Sequence, residues 1–211
     1  MDKEQMFEAI IQVMAEDMAP TMGCTGPISY IYSAAIARNL AGGTKIHHIK
    51  CLASGKFCAR MGEVVTPGLP EDTLEMACAA GAVAGMPEKK FEVIKDITPE
   101  QTMKALELSK TRAEVIPFWE APELVYIDTT VETDMGVGRA IIRGGMLNVV
   151  HKEKNGEVID SVDEAAAGKA QVSAGSNGVQ CKNRKIWNGT RSRVWFGILL
   201  CKDCKEFWRS Y

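Results

Sequence analysis

The sequence predicts an α+β fold, with N-terminal helices packed on a small, mostly antiparallel sheet. Two observations carry this. Through about residue 110 the apolar residues recur mainly at helical spacings of three and four, with one strand-like interruption, and from Ala113 onward the period drops to two. Turn chemistry then punctuates the second part, with Asn155-Gly156 between two alternating runs. Helices followed by a run of hairpin-sized strands specify an α+β arrangement.

Residues 2–18 carry Met6, Phe7, Ile10, Ile11, Met14 and Met18 at helical spacing, with acidic residues between them. This predicts an amphipathic helix whose Met-rich stripe fills the core. Pro20 ends it. A second helix follows, with Pro27 expected at its first position, where a fixed φ and a missing N–H cost nothing. Ile28, Ile31, Tyr32, Ala35, Ile36 and Leu40 recur on one face, and Gly42-Gly43 closes the helix in the left-handed conformation.

Residues 45–52 read as a strand, so His47 and His48 point to opposite faces and do not chelate one ion together. Residues 54–62 read as a short loop holding Lys56, Cys58 and Arg60, and its two cations suit a carboxylate. The small residues of 71–85 predict a closely packed helix with Cys78 buried. Thr98-Pro99-Glu100-Gln101 is a capping box that opens a helix to about Lys110. Strands are expected at 115–118, 124–132, 136–143, 147–152 and 157–159.

The chemistry centres on Gly23-Cys24-Thr25-Gly26-Pro27-Ile28. A thiol at a helix mouth faces the partial positive charge of the helix start, which favours anionic sulfur as nucleophile or metal ligand. The same residue also reads as a small buried hydrophobe in a tight turn.

The Gly-Cys-Thr-x-Pro-Ile stretch and the Ala- and Tyr-rich helix after it resemble the N-terminal signature of the L-cysteine desulfidase and L-serine dehydratase alpha-chain family. Gly68-Leu69-Pro70, the small-residue helix 77–85, the stretch 91–100 and Glu153-Lys154-Asn155-Gly156-Glu157-Val158 follow in the same order. The resemblance covers about residues 6–167. It implies an iron–sulfur-dependent amino-acid lyase. Such enzymes use a four-iron four-sulfur (4Fe-4S) cluster in a β-elimination that gives pyruvate and ammonia from serine, with sulfide as well from cysteine. It implies Cys24 as the matching cluster ligand and Thr25, Ser54, Gly55, Lys56 and Asn148 on the substrate side, and it identifies no base. Lys56 stands where the family usually has Asn, and Met146 stands near the place of a common His. The other ligands of that set come from the family's C-terminal half, so a truncated, inactive chain is the companion expectation. The alternative is a non-catalytic domain that binds a small anion or a partner chain.

The chain divides at about residue 170. Residues 181–211 hold eight Lys or Arg against two acidic residues, three of the four tryptophans and three of the seven cysteines, whereas the residues before them carry 17 basic against 25 acidic. Cys201 and Cys204 with Cys181 suggest a metal site, and the basic aromatic composition suggests single-stranded nucleic acid. Read one base later, a back-translation of the same stretch gives an ordinary acidic, helical sequence. A frameshift accounts for the whole of 171–211, leaving 1–170 as the N-terminal part of a longer parent.

A net charge of −2 and 46% hydrophobic residues argue against nucleic acid as partner, and the chain has no run approaching the ~20 apolar residues of a membrane span. Seven cysteines without a secretion signal predict thiols in a cytoplasmic protein rather than a disulfide framework. The expected partners are a small amino-acid substrate and a second copy of the chain.

Overall fold

A computed structural model of the chain describes residues 3–17, 19–61 and 64–161. Its helices are α1 (Lys3–Asp17), α2 (Thr25–Ala41), α3 (Gly55–Met61), α4 (Leu74–Ala84) and α5 (Pro99–Thr111), with a 3-10 segment at Pro87–Glu92. The strands are β1 (Ile46–Ser54), β2 (Ala113–Phe118), β3 (Tyr126–Thr133), β4 (Val137–Arg143), β5 (Val149–Lys154) and β6 (Glu157–Ser161). The α+β prediction holds. Cys181, Cys201, Cys204 and the rest of the tail, with the metal and nucleic-acid expectations placed on them, lie outside the described residues.

The six strands form one sheet in the order β2-β1-β3-β4-β5-β6. Every neighbouring pair is antiparallel except β1 with β2, whose parallel register runs from Ile49 beside Ala113 to Ser54 beside Phe118. The crossover between these two strands is long enough to hold α3, α4 and α5, which a parallel connection requires.

Packing explains the element boundaries. Helix α2 is buried from Gly26 to Ile31 and again over Ser33–Ala37, so it is a core helix with no polar face to speak of. It lies against α4 and against β3 and β4. Close approach is built into the sequence. A Cβ on Gly81 would overlap the Ile31 carbonyl, and one on Gly138 would overlap the Ala37 carbonyl. Ile49, Cys51, Ala53, Ile127, Val131, Ala140 and Ile142 supply the sheet's side of this core. The capping box of α5 forms as predicted, with Thr98 and Gln101 each accepting from the other's backbone N–H.

Three expectations need correction. The stripe of α1 is not core among the described residues, because Phe7, Ile10 and Ile11 are 65, 47 and 51% exposed. Helix α2 starts at Thr25 with Cys24 as its N-cap, which places Pro27 at the third helical position; Pro is tolerated throughout a first turn, where N–H groups have no intrahelical acceptor. Residues 54–62 are not a loop: Ser54 ends β1, and α3 begins at Gly55. No sequence period distinguishes a seven-residue helix from a loop.

Candidate functional site

Helix α2 runs across the sheet in a direction that three contacts fix. Gly138 seats against Ala37 and Leu40, the Ser33 hydroxyl donates to the Ala140 carbonyl at 3.3 Å, and the Ser29 hydroxyl meets the Met146 sulfur at 3.4 Å. The mouth of α2 therefore lies where β4 ends, beside the turn that leads to β5. Strand β1 ends at the same edge of the sheet, since Ala53 pairs with Ile127 and Tyr126 pairs with Arg143. All six residues singled out from the sequence, Cys24, Thr25, Ser54, Gly55, Lys56 and Asn148, belong to this one end.

They do not share one surface. Cys24 is exposed and Thr25 half-buried beside it. Cys24 has φ −66° and ψ 128°, an extended N-cap conformation, and its side chain makes no capping hydrogen bond. This removes the buried-hydrophobe reading of Cys24. Met61 from the end of α3 fills the space over Gly26, and the Pro67 ring lies against Gly23. The thiol thus stands on a framework of Gly23, Gly26, Met61 and Pro67.

Ser54 and Gly55 lie at the other end of α3, about 10 Å away along a seven-residue helix. Ser54 is 2% exposed, and the Trp119 indole covers the face of Gly55 that a side chain would occupy. Neither offers a surface to a ligand at Cys24. Lys56 is exposed beside them. Asn148 is committed to its own turn: its side-chain amide donates to the Arg143 carbonyl at 2.8 Å, and its backbone carbonyl accepts from the Arg143 N–H at 3.0 Å. Met61, Pro67, Met146 and Trp119 complete this end of the domain. Sequence reading singled out Met146 only for standing near the place of a common His and missed the other three, because each reaches the site through a contact distant in the chain.

The donor set was tested against a four-iron cluster, which needs three or four thiolates. The other described thiols collect elsewhere, in the core between β1, α3 and α4. Cys58 sulfur lies 3.6 Å from the Tyr30 hydroxyl, and Cys51 sulfur accepts from the Thr129 hydroxyl at 3.5 Å. Burial pushes the Cys58 thiol above its ordinary value, and a hydrogen bond with Cys51 together with burial does the same to Cys78. Burial likewise holds the Tyr30 hydroxyl protonated. Cys51 and Cys78 are enclosed in the core and Cys58 is half-buried against it, away from the mouth of α2. Among the described residues no three His, Cys, Asp or Glu side chains come together as a metal site. The described residues therefore do not fit the cluster, and Cys24 is the single exposed thiol they offer.

Fold and site together define an α+β protein with a thiol at a helix mouth, at one end of a six-stranded mixed sheet. The chain is similar to proteins named UPF0597. It is 33% identical over 163 residues to one from Shewanella baltica, covering 76% of this chain and 38% of that protein. It is 28% identical over 172 residues to one from Vibrio parahaemolyticus, covering 81% and 40%, and 28% identical over 155 residues to one from Clostridium tetani, covering 74% and 36%. The chain thus spans about two-fifths of the length of these relatives. No family model and no solved structure matches it.

These relatives overturn the resemblance to the L-cysteine desulfidase and L-serine dehydratase alpha-chain family. The long, ordered match goes to proteins bearing the UPF0597 name, which states no activity. A six-residue turn-and-helix motif is too short to decide between families when the rest of the likeness rests on the order of common pieces.

Proposed function

We propose that this chain supplies one wall of an amino-acid lyase site, with Cys24 as the sulfur ligand it contributes and Thr25 beside it on the substrate side. One observation carries the reading: an exposed cysteine at the N-cap of a long buried helix, its side chain free of any capping bond. The first-turn N–H groups and the helix dipole favour a substrate carboxylate there. The reaction is β-elimination. L-Serine loses its α-proton and β-hydroxyl to give pyruvate and ammonia, and L-cysteine with one water gives pyruvate, ammonia and sulfide. The described residues do not hold an iron–sulfur cluster by themselves, and none of them is placed as the base. A second polypeptide or residues outside those described complete the site. The reading places the chain in the cytoplasm; none of the described helices is long and apolar enough to cross a membrane.

A second reading is a non-catalytic domain that binds a small anion or a partner, with a second copy of the chain among the candidates. The exposed Phe7, Ile10 and Ile11 favour it, since apolar side chains grouped on one helix face mark association surfaces.

The deciding experiment measures iron, acid-labile sulfide and pyruvate release from L-serine and L-cysteine after anaerobic reconstitution, with wild type beside Cys24→Ala. Iron, sulfide and pyruvate in wild type and their loss in the variant support the lyase. Neither iron nor pyruvate in wild type overturns it and leaves the non-catalytic reading.

A further inference from the structure

The sheet has two unlike faces. Ile49, Cys51 and Ala53 of β1, with Ile127, Val131, Ala140 and Ile142, point into the core beneath α2 and α4. The alternate residues point the other way, and the register places them side by side. Leu52 neighbours Ile116 and Asp128, Asp128 neighbours Ile141, and Thr130 neighbours both Lys50 and Arg139. None of these apolar residues belongs to the core or lies against it. Leu52, Ile116 and Ile141 remain half-buried.

We propose that this face, which no helix covers among the described residues, docks a polypeptide equivalent to the part of the UPF0597 proteins that the chain does not match. Four observations converge on it, and none depends on chemistry at Cys24. The first is the apolar pair Leu52 and Ile116, set side by side on the face opposite α2 and α4, with Ile141 beyond Asp128 on the same face. The second is a groove of about 320 Å³ at the centre of the face, lined by Lys50, Leu52, Ile116, Asp128, Thr130 and Arg139. It has room for an apolar anchor seated between Leu52 and Ile116.

The third is that the central charges are already paired. Arg139 binds Asp128 through Nε at 2.9 Å and Nη2 at 2.7 Å and reaches Glu153 at 3.3 Å, and His151 also meets Glu153 at 3.2 Å. A partner covering this network strands none of these groups without a counter-charge, which avoids the cost of burying an unpaired ion. The fourth identifies the occupant. More than half of each relative's length lies outside its match to this chain, and such a segment is large enough to cover a sheet face.

The test uses the full 211-residue chain, affinity-tagged and co-expressed with the unmatched part of the Shewanella baltica relative as a separate untagged polypeptide. Retention on the resin and co-elution in gel filtration are expected. Ile116→Glu should weaken the association on the order of 30-fold, as for a central anchor. Thr130→Arg fills the groove without touching the core and should do the same, while Lys104→Glu on α5 should change nothing. Circular dichroism confirms that each variant folds. The proposal is overturned if wild type retains no partner, or if both face variants retain it as wild type does. It is equally overturned if the chain alone forms a dimer that the face variants dissociate, which would make a second copy the occupant. Association without iron or pyruvate would uphold docking and remove the lyase, so the two readings fail separately.

Discussion

Arg139 grips Asp128 with two parallel hydrogen bonds, Nε to Oδ1 at 2.9 Å and Nη2 to Oδ2 at 2.7 Å, and leaves that carboxylate only 8% exposed on the sheet face opposite α2 and α4. The carboxylate in turn holds the guanidinium firmly charged. Truncating Arg139→Ala leaves Asp128 half-desolvated and without a partner. Breaking a buried pair in this way costs roughly 3–5 kcal/mol. Because the Arg139 side chain is 38% exposed, water recovers part of that, and the expected loss is about 1–3 kcal/mol. Urea unfolding measures it. Arg139→Lys should lose less, since one charge-assisted contact survives, whereas equal losses in the two variants would show that a single contact contributes nothing and that the pair depends wholly on its bidentate geometry.

Helix α4 lies against α2 because Gly81 has no side chain. A methyl there would overlap the Ile31 carbonyl, which is backbone of a fully packed helix and has nowhere to go. In an ordinary helix Gly→Ala stabilises by up to about 1 kcal/mol through propensity. At Gly81 overpacking should outweigh this, and Gly81→Ala should lower stability by about 1–3 kcal/mol in the same unfolding measurement. A stabilised variant would mean that the two helices move apart freely.

Helix α5 was legible in the sequence down to its cap, because Thr98, Pro99 and Gln101 act within one turn and need nothing from the rest of the chain. The hairpin at Asn155 was legible for the same reason: Asn155 has φ 52° and Gly156 φ 86°, the left-handed pair that a two-residue turn demands. The parallel pairing of β1 with β2 was not, since it joins strands separated by three helices and has no local signature. The site was half legible. Cys24 announces itself by its setting, but the burial of Ser54 and the cover that Trp119 puts over Gly55 are consequences of packing at a distance. Helix α1 shows the limit of periodicity, for a 3.6-residue stripe says which face is apolar and not what covers it.

Asp134 ties the start of β1 to the β3–β4 turn by accepting the backbone N–H groups of Lys45 and Thr44, both at 3.0 Å. These two bonds hold its carboxyl below the ordinary carboxylate value. A lowered folded-state value means stability that is present above the unfolded-state value of about 4 and lost as pH falls through the lower folded value. The stability difference between wild type and Asp134→Asn should therefore be constant from neutral pH to about 5 and shrink below about 4. Thermal unfolding from pH 7 to pH 3 tests this. A difference that grows on acidification would contradict the assigned bonds.

Removing α1 should cost little. Phe7, Ile10 and Ile11 keep roughly half or more of their surface in contact with water, so among the described side chains of α1 cutting the chain to begin at Ala19 removes little buried apolar area. The melting temperature should fall by no more than about 2–4 °C, the shift that accompanies ~1 kcal/mol in a domain of this size. A collapse of the fold would mean that the Met-rich stripe is core after all.

The described thiols differ enough in setting for their reactivities to be ordered. Cys24 is exposed, Cys58 is half-buried with its thiol raised by burial, and Cys51 and Cys78 are fully enclosed. Alkylation needs access to the sulfur and proceeds through the thiolate, so exposure orders the four sites, and at Cys58 and Cys78 the raised thiol acts in the same direction. Iodoacetamide at neutral pH, followed by peptide mapping to separate these sites from the tail cysteines, should label Cys24 first and Cys58 more slowly. Cys51 and Cys78 should react only as fast as the domain opens, and 6 M urea should equalise all four. Mild destabilisation by Gly81→Ala should speed Cys51 and Cys78 together while leaving Cys24 unchanged. If Cys24 instead reacted at the rate of the core thiols, the mouth of α2 would be closed, and neither a substrate nor a partner's ligand could reach it.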